Sequence, residues 1–184
     1  MEPMLRVPKL PVTVEITLEG GLRRRGAIHM LPMLADGRGA ERVVDLLESP
    51  EPFLPLTDGA AVTLLNKHRM VTVRVESARH VGLQSETPLP GEETEQPVLL
   101  TLATLPARER QVHGSLRVPV LPTGRRLLDH VNQAPAFLPL RLTEGWLLVA
   151  TRYVVECAPR DGHPTARAPR PTRAQGARAR RRAR

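Results

Sequence analysis

Residues 53–56 read Phe-Leu-Pro-Leu, and residues 137–140 read Phe-Leu-Pro-Leu again, 84 positions later. The chain has two phenylalanines, and each opens one of these words. The match extends in both directions at the same offset. Arg42-Val43-Val44-Asp45 faces Arg126-Leu127-Leu128-Asp129, Leu64 faces Leu148, and Val71 faces Val155. Self-similarity at a fixed offset predicts one structural unit used twice.

Upstream of the first word, Val12, Val14, Ile16 and Leu18 alternate with Thr13, Glu15 and Thr17, the pattern of a half-buried strand. Gly20-Gly21 supplies a turn, and residues 22–31 read as a second strand, with Gly26 marking a bulge or sharp bend. Val43, Val44, Leu46 and Leu47 recur at helical spacing, so a short helix is expected over 40–48, ended by Ser49-Pro50-Glu51-Pro52. Strands are expected at 53–57, 61–65 and 70–76. The second unit repeats the order, with strands at 97–105, 110–118, 137–142, 146–151 and 153–158 and a helix over 124–133.

These readings divide the chain into an N-terminal arm (1–11), a first repeat (12–76), an acidic, proline-bearing linker (77–96), a second repeat (97–158) and a tail (159–184). The expected fold is mostly β: two tandem small five-stranded barrels, each with one short inserted helix, followed by a disordered basic tail. A tail rich in Arg, Ala, Pro, Gly and Thr lacks the large apolar side chains needed to offset ordering entropy.

Charge sharpens that division. The net charge is +8, and residues from Pro159 onward hold nine arginines against one acid, Asp161. The rest carries 18 basic and 18 acidic residues, so the body has no net charge. A neutral body is a weak electrostatic partner for nucleic acid, although a local patch would remain compatible with it. Aromatic residues make up only 2% of the chain, so Leu and Val must fill the core. A single cysteine, Cys157, forbids an internal disulfide and fits a reducing compartment. No basic segment followed by an apolar run opens the sequence, and no apolar stretch reaches the length of a membrane helix, so a cytoplasmic protein is expected.

Val12 to Ile28, with its alternation, Gly-Gly and Gly26-Ala27-Ile28, resembles the first motif of Sm-like proteins. Val62 to Val73, with Lys67-His68 between two strands, is similar to the second motif of the bacterial Sm-like RNA chaperone. The resemblance implies an RNA-binding role for Lys67 and His68 near a subunit boundary. The second unit departs from it, with Thr151-Arg152 in place of Lys-His. A generic SH3-like barrel satisfies the same strand pattern, and a single barrel built from both units fits as well.

The candidate sites are of three kinds. Arg42/Asp45 and Arg126/Asp129 lie three apart, on one helix face, and read either as a recurring binding pair or as structural tethers, with structure favoured. Phe53, Pro55, Phe137 and Pro139 read either as a docking surface on an edge strand or as core filling with proline blunting the edge. Basic groups for nucleic acid are Arg23, Arg24 and Arg25 after the turn, Lys67 and His68, and the tail arginines Arg178, Arg180, Arg181, Arg182 and Arg184. The tail has no aromatic residue for stacking on bases.

Six scattered histidines show no metal-ligand spacing, and Cys157 reads as a small core residue. No metal, cofactor or catalytic residue is expected. The expectation for function is therefore a non-catalytic cytoplasmic module that binds another protein through strand edges or the groove between the units. The alternative is Sm-like nucleic-acid binding assisted by the tail.

Overall fold

The computed structural model describes residues 8–32, 39–120 and 127–160. In chain order the elements are β1 (Leu10–Leu18), β2 (Arg23–Met30), α1 (Val43–Glu48), β3 (Phe53–Asp58), β4 (Ala61–Asn66) and β5 (Met70–Val75). There follow β6 (Glu93–Leu102), β7 (Gln111–Pro119), α2 (Leu127–Asn132), β8 (Phe137–Arg141), β9 (Trp146–Ala150) and β10 (Val154–Pro159). The ten strands among the described residues belong to one antiparallel sheet, in the order β10-β6-β7-β8-β9-β5-β1-β2-β3-β4.

This corrects the expectation of two closed barrels. A strand has two edges, and β5 uses both: one pairs with β1 and the other with β9. Nothing of β5 is left for β4, so the first half stays open and continues into the second. A one-turn 3-10 helix, Lys67–Arg69, separates β4 from β5. The corresponding turn Thr151–Tyr153 separates β9 from β10.

The hydrogen-bonded ladders of the two halves correspond residue by residue. Phe53 pairs with Asn66 as Phe137 pairs with Ala150, and Leu54 with Leu65 as Leu138 with Val149. Glu15 pairs with Arg74 as Leu99 pairs with Ala158. Each pair moves by 84. Even the irregularity recurs: the register slips at Thr17/Leu18 opposite β5 and at Val154/Glu156 opposite β6.

Gly26, where a bulge or sharp bend is expected, lies in an unbroken β2 at the place where that strand meets β3. A Cβ there would stand 2.5 Å from the carbonyl oxygen of Thr57. Gly114 does the same work in β7, where a Cβ would stand 2.5 Å from the oxygen of Arg141. Only hydrogen occupies the Cα position facing each carbonyl, so the backbones close together there and then part. The β2–β3 ladder has a single pair, Ala27↔Thr57. Pro55 therefore lies in an interior strand, not at an edge, and needs no donor because β2 has already diverged. Pro139 occupies the same place in β8, beyond the two-pair ladder with β7.

Two further differences concern boundaries. The segment read as a linker is built into the fold: a 3-10 turn at Ala78–Val81 buries Ala78 and Val81, and β6 begins at Glu93. α1 starts at Val43 rather than at residue 40; α2 ends at Asn132, and residues 124–126 lie outside the described residues. Only the start of the tail, to Arg160, lies among the described residues.

Candidate interaction sites at the junction and the free edges

Residues opposed in adjacent strands share one face of the sheet. In the first half, Ile16, Val73, Leu54, Leu56 and Leu65 are buried on one such face. Val73 is opposed by Leu148, and Val75 by Trp146. Leu148 and Trp146 therefore lie on the first half's core face, whereas their neighbours Leu147 and Val149 share a face with Leu140 and Leu138, the core of the second half. The outward face of the β8–β9 hairpin thus covers the core of the first half. Trp146 and Leu148 are fully buried and Phe137 nearly so, and α1 packs against β8 with Val43, Val44 and Leu47 buried.

Polar groups fix this junction at both ends. The Trp146 indole N–H donates to Glu86 Oε2 at 3.0 Å, and the guanidinium groups of Arg117 and Arg141 flank the ring, each 5.1 Å from its centroid. Arg117 also donates to the backbone oxygens of Ser85 and Glu86 at 2.8 and 2.9 Å. The Glu86 carboxylate accepts from the Ala78 amide at 2.6 Å. Its pKa is held below the ordinary value, first by the Trp146 hydrogen bond and also by the Ala78 amide and Arg141. Neither Trp146 nor Glu86 was singled out by sequence reasoning. The available signal was that Trp146 is the chain's lone tryptophan, set in an apolar strand.

At the other end, Arg152 donates to the backbone oxygens of Lys67 and Met70 at 2.7 and 3.0 Å, and stacks near Tyr153 and Phe137. The Tyr153 hydroxyl donates toward two acceptors, Glu19 Oε1 at 2.6 Å and the His68 carbonyl at 2.7 Å, and Glu19 also meets Arg69 through its other oxygen. A cleft of about 500 Å³ opens beside these groups, lined by the end of α1, Lys67, His68, Phe137 and Arg152.

The sequence-derived residues fall into place as follows. Lys67 is buried, and its ammonium donates to Leu46 O, Ser49 O and Ser49 Oγ at 2.9, 2.6 and 2.9 Å. Three donors meet three acceptors, so the ammonium secures the end of α1 and has none left for a phosphate. Burial lowers its pKa. His68 is exposed beside the cleft. Arg42 and Asp45 form a bidentate pair (2.9 and 2.7 Å), and the same carboxylate accepts from the Arg42 amide at 2.9 Å, capping α1. Asp129 lies in the first turn of α2, while Arg126 falls outside the described residues. Arg23 pairs with Glu109 and Glu15 at 3.1 and 3.5 Å, and Arg24 and Arg25 are exposed. Arg178, Arg180, Arg181, Arg182 and Arg184 fall outside the described residues. Cys157 is half-buried, which raises its thiol pKa. Among the described residues, no three His, Cys, Asp or Glu side chains gather as a metal site, and no helix is long and apolar enough to cross a membrane.

The outer strands present a different surface. β4 and β10 each have one neighbour among the described residues. Val62, Leu64 and Phe53 are 63%, 65% and 50% exposed, although they hold the positions that Trp146, Leu148 and Phe137 hold in the second half. Neither a family model, nor a curated protein, nor a solved structure matches the chain.

Proposed function

We propose that the protein is a non-catalytic, cytoplasmic binding and assembly module, built from two Sm-like or SH3-like units, that recruits a protein partner along its free sheet edges. One observation carries this reading: β4, whose outer edge has no partner strand among the described residues, sets Val62 and Leu64 in solvent next to Phe53 of β3. Unpaired strands with an apolar face are templates for strand addition. The matched ladders at an offset of 84 support the two-unit reading.

The test is association of the full chain with a protein partner, followed by crosslinking and by comparison with a Val62→Lys/Leu64→Lys variant. Loss of specific crosslinks in the variant, with folding unchanged, is the expected result. Recovery of RNA alone would overturn it.

The competing nucleic-acid reading draws on exposed Arg24 and Arg25 and on the tail. RNA binding that survives removal of residues 159–184 and weakens in His68→Ala would favour it. Lys67→Ala would not report cleanly, because that ammonium secures α1.

A further inference from the structure

The intact junction between β5 and β9 has an unfilled counterpart on the same molecule. Adding 84 to β5 gives β10, and subtracting 84 from β9 gives β4. The register Val73↔Leu148 and Val75↔Trp146 then becomes Cys157↔Leu64 and Pro159↔Val62. Both participating strands are the outermost of the sheet among the described residues. We propose that β10 of one copy of this chain pairs antiparallel with β4 of the next in that register, so that chains assemble head to tail. This rests on the edge-binding reading above and names the partner as a second copy.

Three independent features of the two faces agree. The first is the donor face: Val62, Leu64 and Phe53 are exposed where their counterparts Trp146, Leu148 and Phe137 are buried against the first half. The second is the acceptor face. α1 buries Val43, Val44 and Leu47 beneath the neighbouring hairpin, whereas α2 has no fully buried residue. Leu128, the counterpart of Val44, is 63% exposed against 7%. Leu127 and Val131 remain only partly covered. The unfilled face of α2 and the uncovered face of β4 are thus the two halves of a contact that already exists once inside the chain.

The third is backbone direction. The amide of Lys67 donates to Pro52, so Leu65 and Thr63 face β3, while Leu64 and Val62 turn their backbone groups outward. The amide of Arg160 donates to Pro97, so Cys157 and Pro159 turn theirs away from β6. The outward-facing residues are those the register opposes. Pro159 has no amide proton, so the last pair would form one bond where the inner pair forms two.

The two surfaces differ, so the contact is heterologous. Repetition closes into a ring when the rotation per chain divides a full turn, and gives a filament otherwise.

Leu64→Cys is the decisive variant, because Cys157 is the native chain's lone cysteine. Opposed residues in a hydrogen-bonded antiparallel pair lie about 5.5 Å apart at Cα, within disulfide reach. Mild oxidation of full-length Leu64→Cys should give a ladder of dimers, trimers and larger species or one closed oligomer. Thr63→Cys, one residue out of register, should give no ladder. By light scattering the native protein should have two or more times its 20.4 kDa chain mass, falling to one chain in Val62→Lys/Leu64→Lys.

Monomeric native protein with no ladder would overturn the proposal, as would dimers joined β4 to β4. If the protein is monomeric yet captures a different protein in a manner lost in Val62→Lys/Leu64→Lys, self-assembly fails and the edge-binding reading stands. If the double variant alters neither association, both fail.

Discussion

The same word, Phe-Leu-Pro-Leu, buries both of its leucines in each half, but its phenylalanine has opposite fates. Phe137 is 2% exposed and Phe53 is 50% exposed, although each pairs with the corresponding residue of its hairpin. Propensity and alternation are equal in the two places, so neither explains the difference. The neighbour does: β9 has β5 along its flank, and β4 has no second neighbour among the described residues. Burial of these outward faces is thus a property of the junction between units.

The comparison can be broken most forcefully at Trp146. Trp146→Ala should cost about 3–5 kcal/mol of folding stability, the range for a large aromatic removed from a core, read by denaturant unfolding. If Trp146→Ala costs no more than Val62→Ala, the junction does not hold the two halves together.

The bend glycines sharpen the comparison because they should behave alike. Gly26→Ala and Gly114→Ala each place a Cβ against a backbone carbonyl and should cost about 1–3 kcal/mol, as overpacking does. Unequal costs in parallel unfolding experiments would show that the halves bend for different reasons.

Lys67→Met probes a difference between the two equivalent turns. It leaves Ser49 O without its ammonium donor, while Leu46 O keeps only the Ser49 hydroxyl, and should cost about 1–3 kcal/mol. Thr151→Ala at the equivalent position should cost about 1 kcal/mol, since its hydroxyl makes one exposed bond to Ala136 O. Equal thermal shifts would remove that distinction.

Acid should act on the junction through Glu86. Its folded pKa is depressed below the ordinary 4.5, so the stability it contributes is present above that value. It is lost as pH falls through the depressed pKa. Trp146 is the chain's lone tryptophan, and its fluorescence during acid titration should follow that loss. Glu86→Gln should flatten the response below about pH 4.5. An unchanged acid limb would detach Glu86 from the stability of the junction.

The smallest effect is expected at the exposed counterpart. For the isolated chain, Val62→Ala should change unfolding stability by less than about 0.5 kcal/mol. A larger loss in dilute solution would mean that β4 is already covered.

Much of this organisation was legible in the residues. The alternation at 12–18 placed β1, helical spacing placed α1, and the 84-residue offset placed α2 and the hairpin containing Phe137. The equivalence of Gly26 and Gly114 was hidden because the loop between β6 and β7 is four residues longer than the turn between β1 and β2. Their offset is therefore 88. Joining of the halves through β5 was hidden for a different reason: alternation sets which face a residue occupies, but not which strand takes a free edge. Lys67 was misleading because exposed and buried ammonium groups look the same in a sequence. Only the carbonyls at the end of α1 show where its protons go.

The placement of β9 beside β5 also matters during synthesis. β5 is complete at residue 75, but its second neighbour begins at residue 146, so about seventy residues must be added before that flank is covered. At about 5–20 residues per second, this leaves a newborn first half with a bare valine strand for several seconds. On a crowded polysome, the hairpin that arrives there first could belong to another nascent chain.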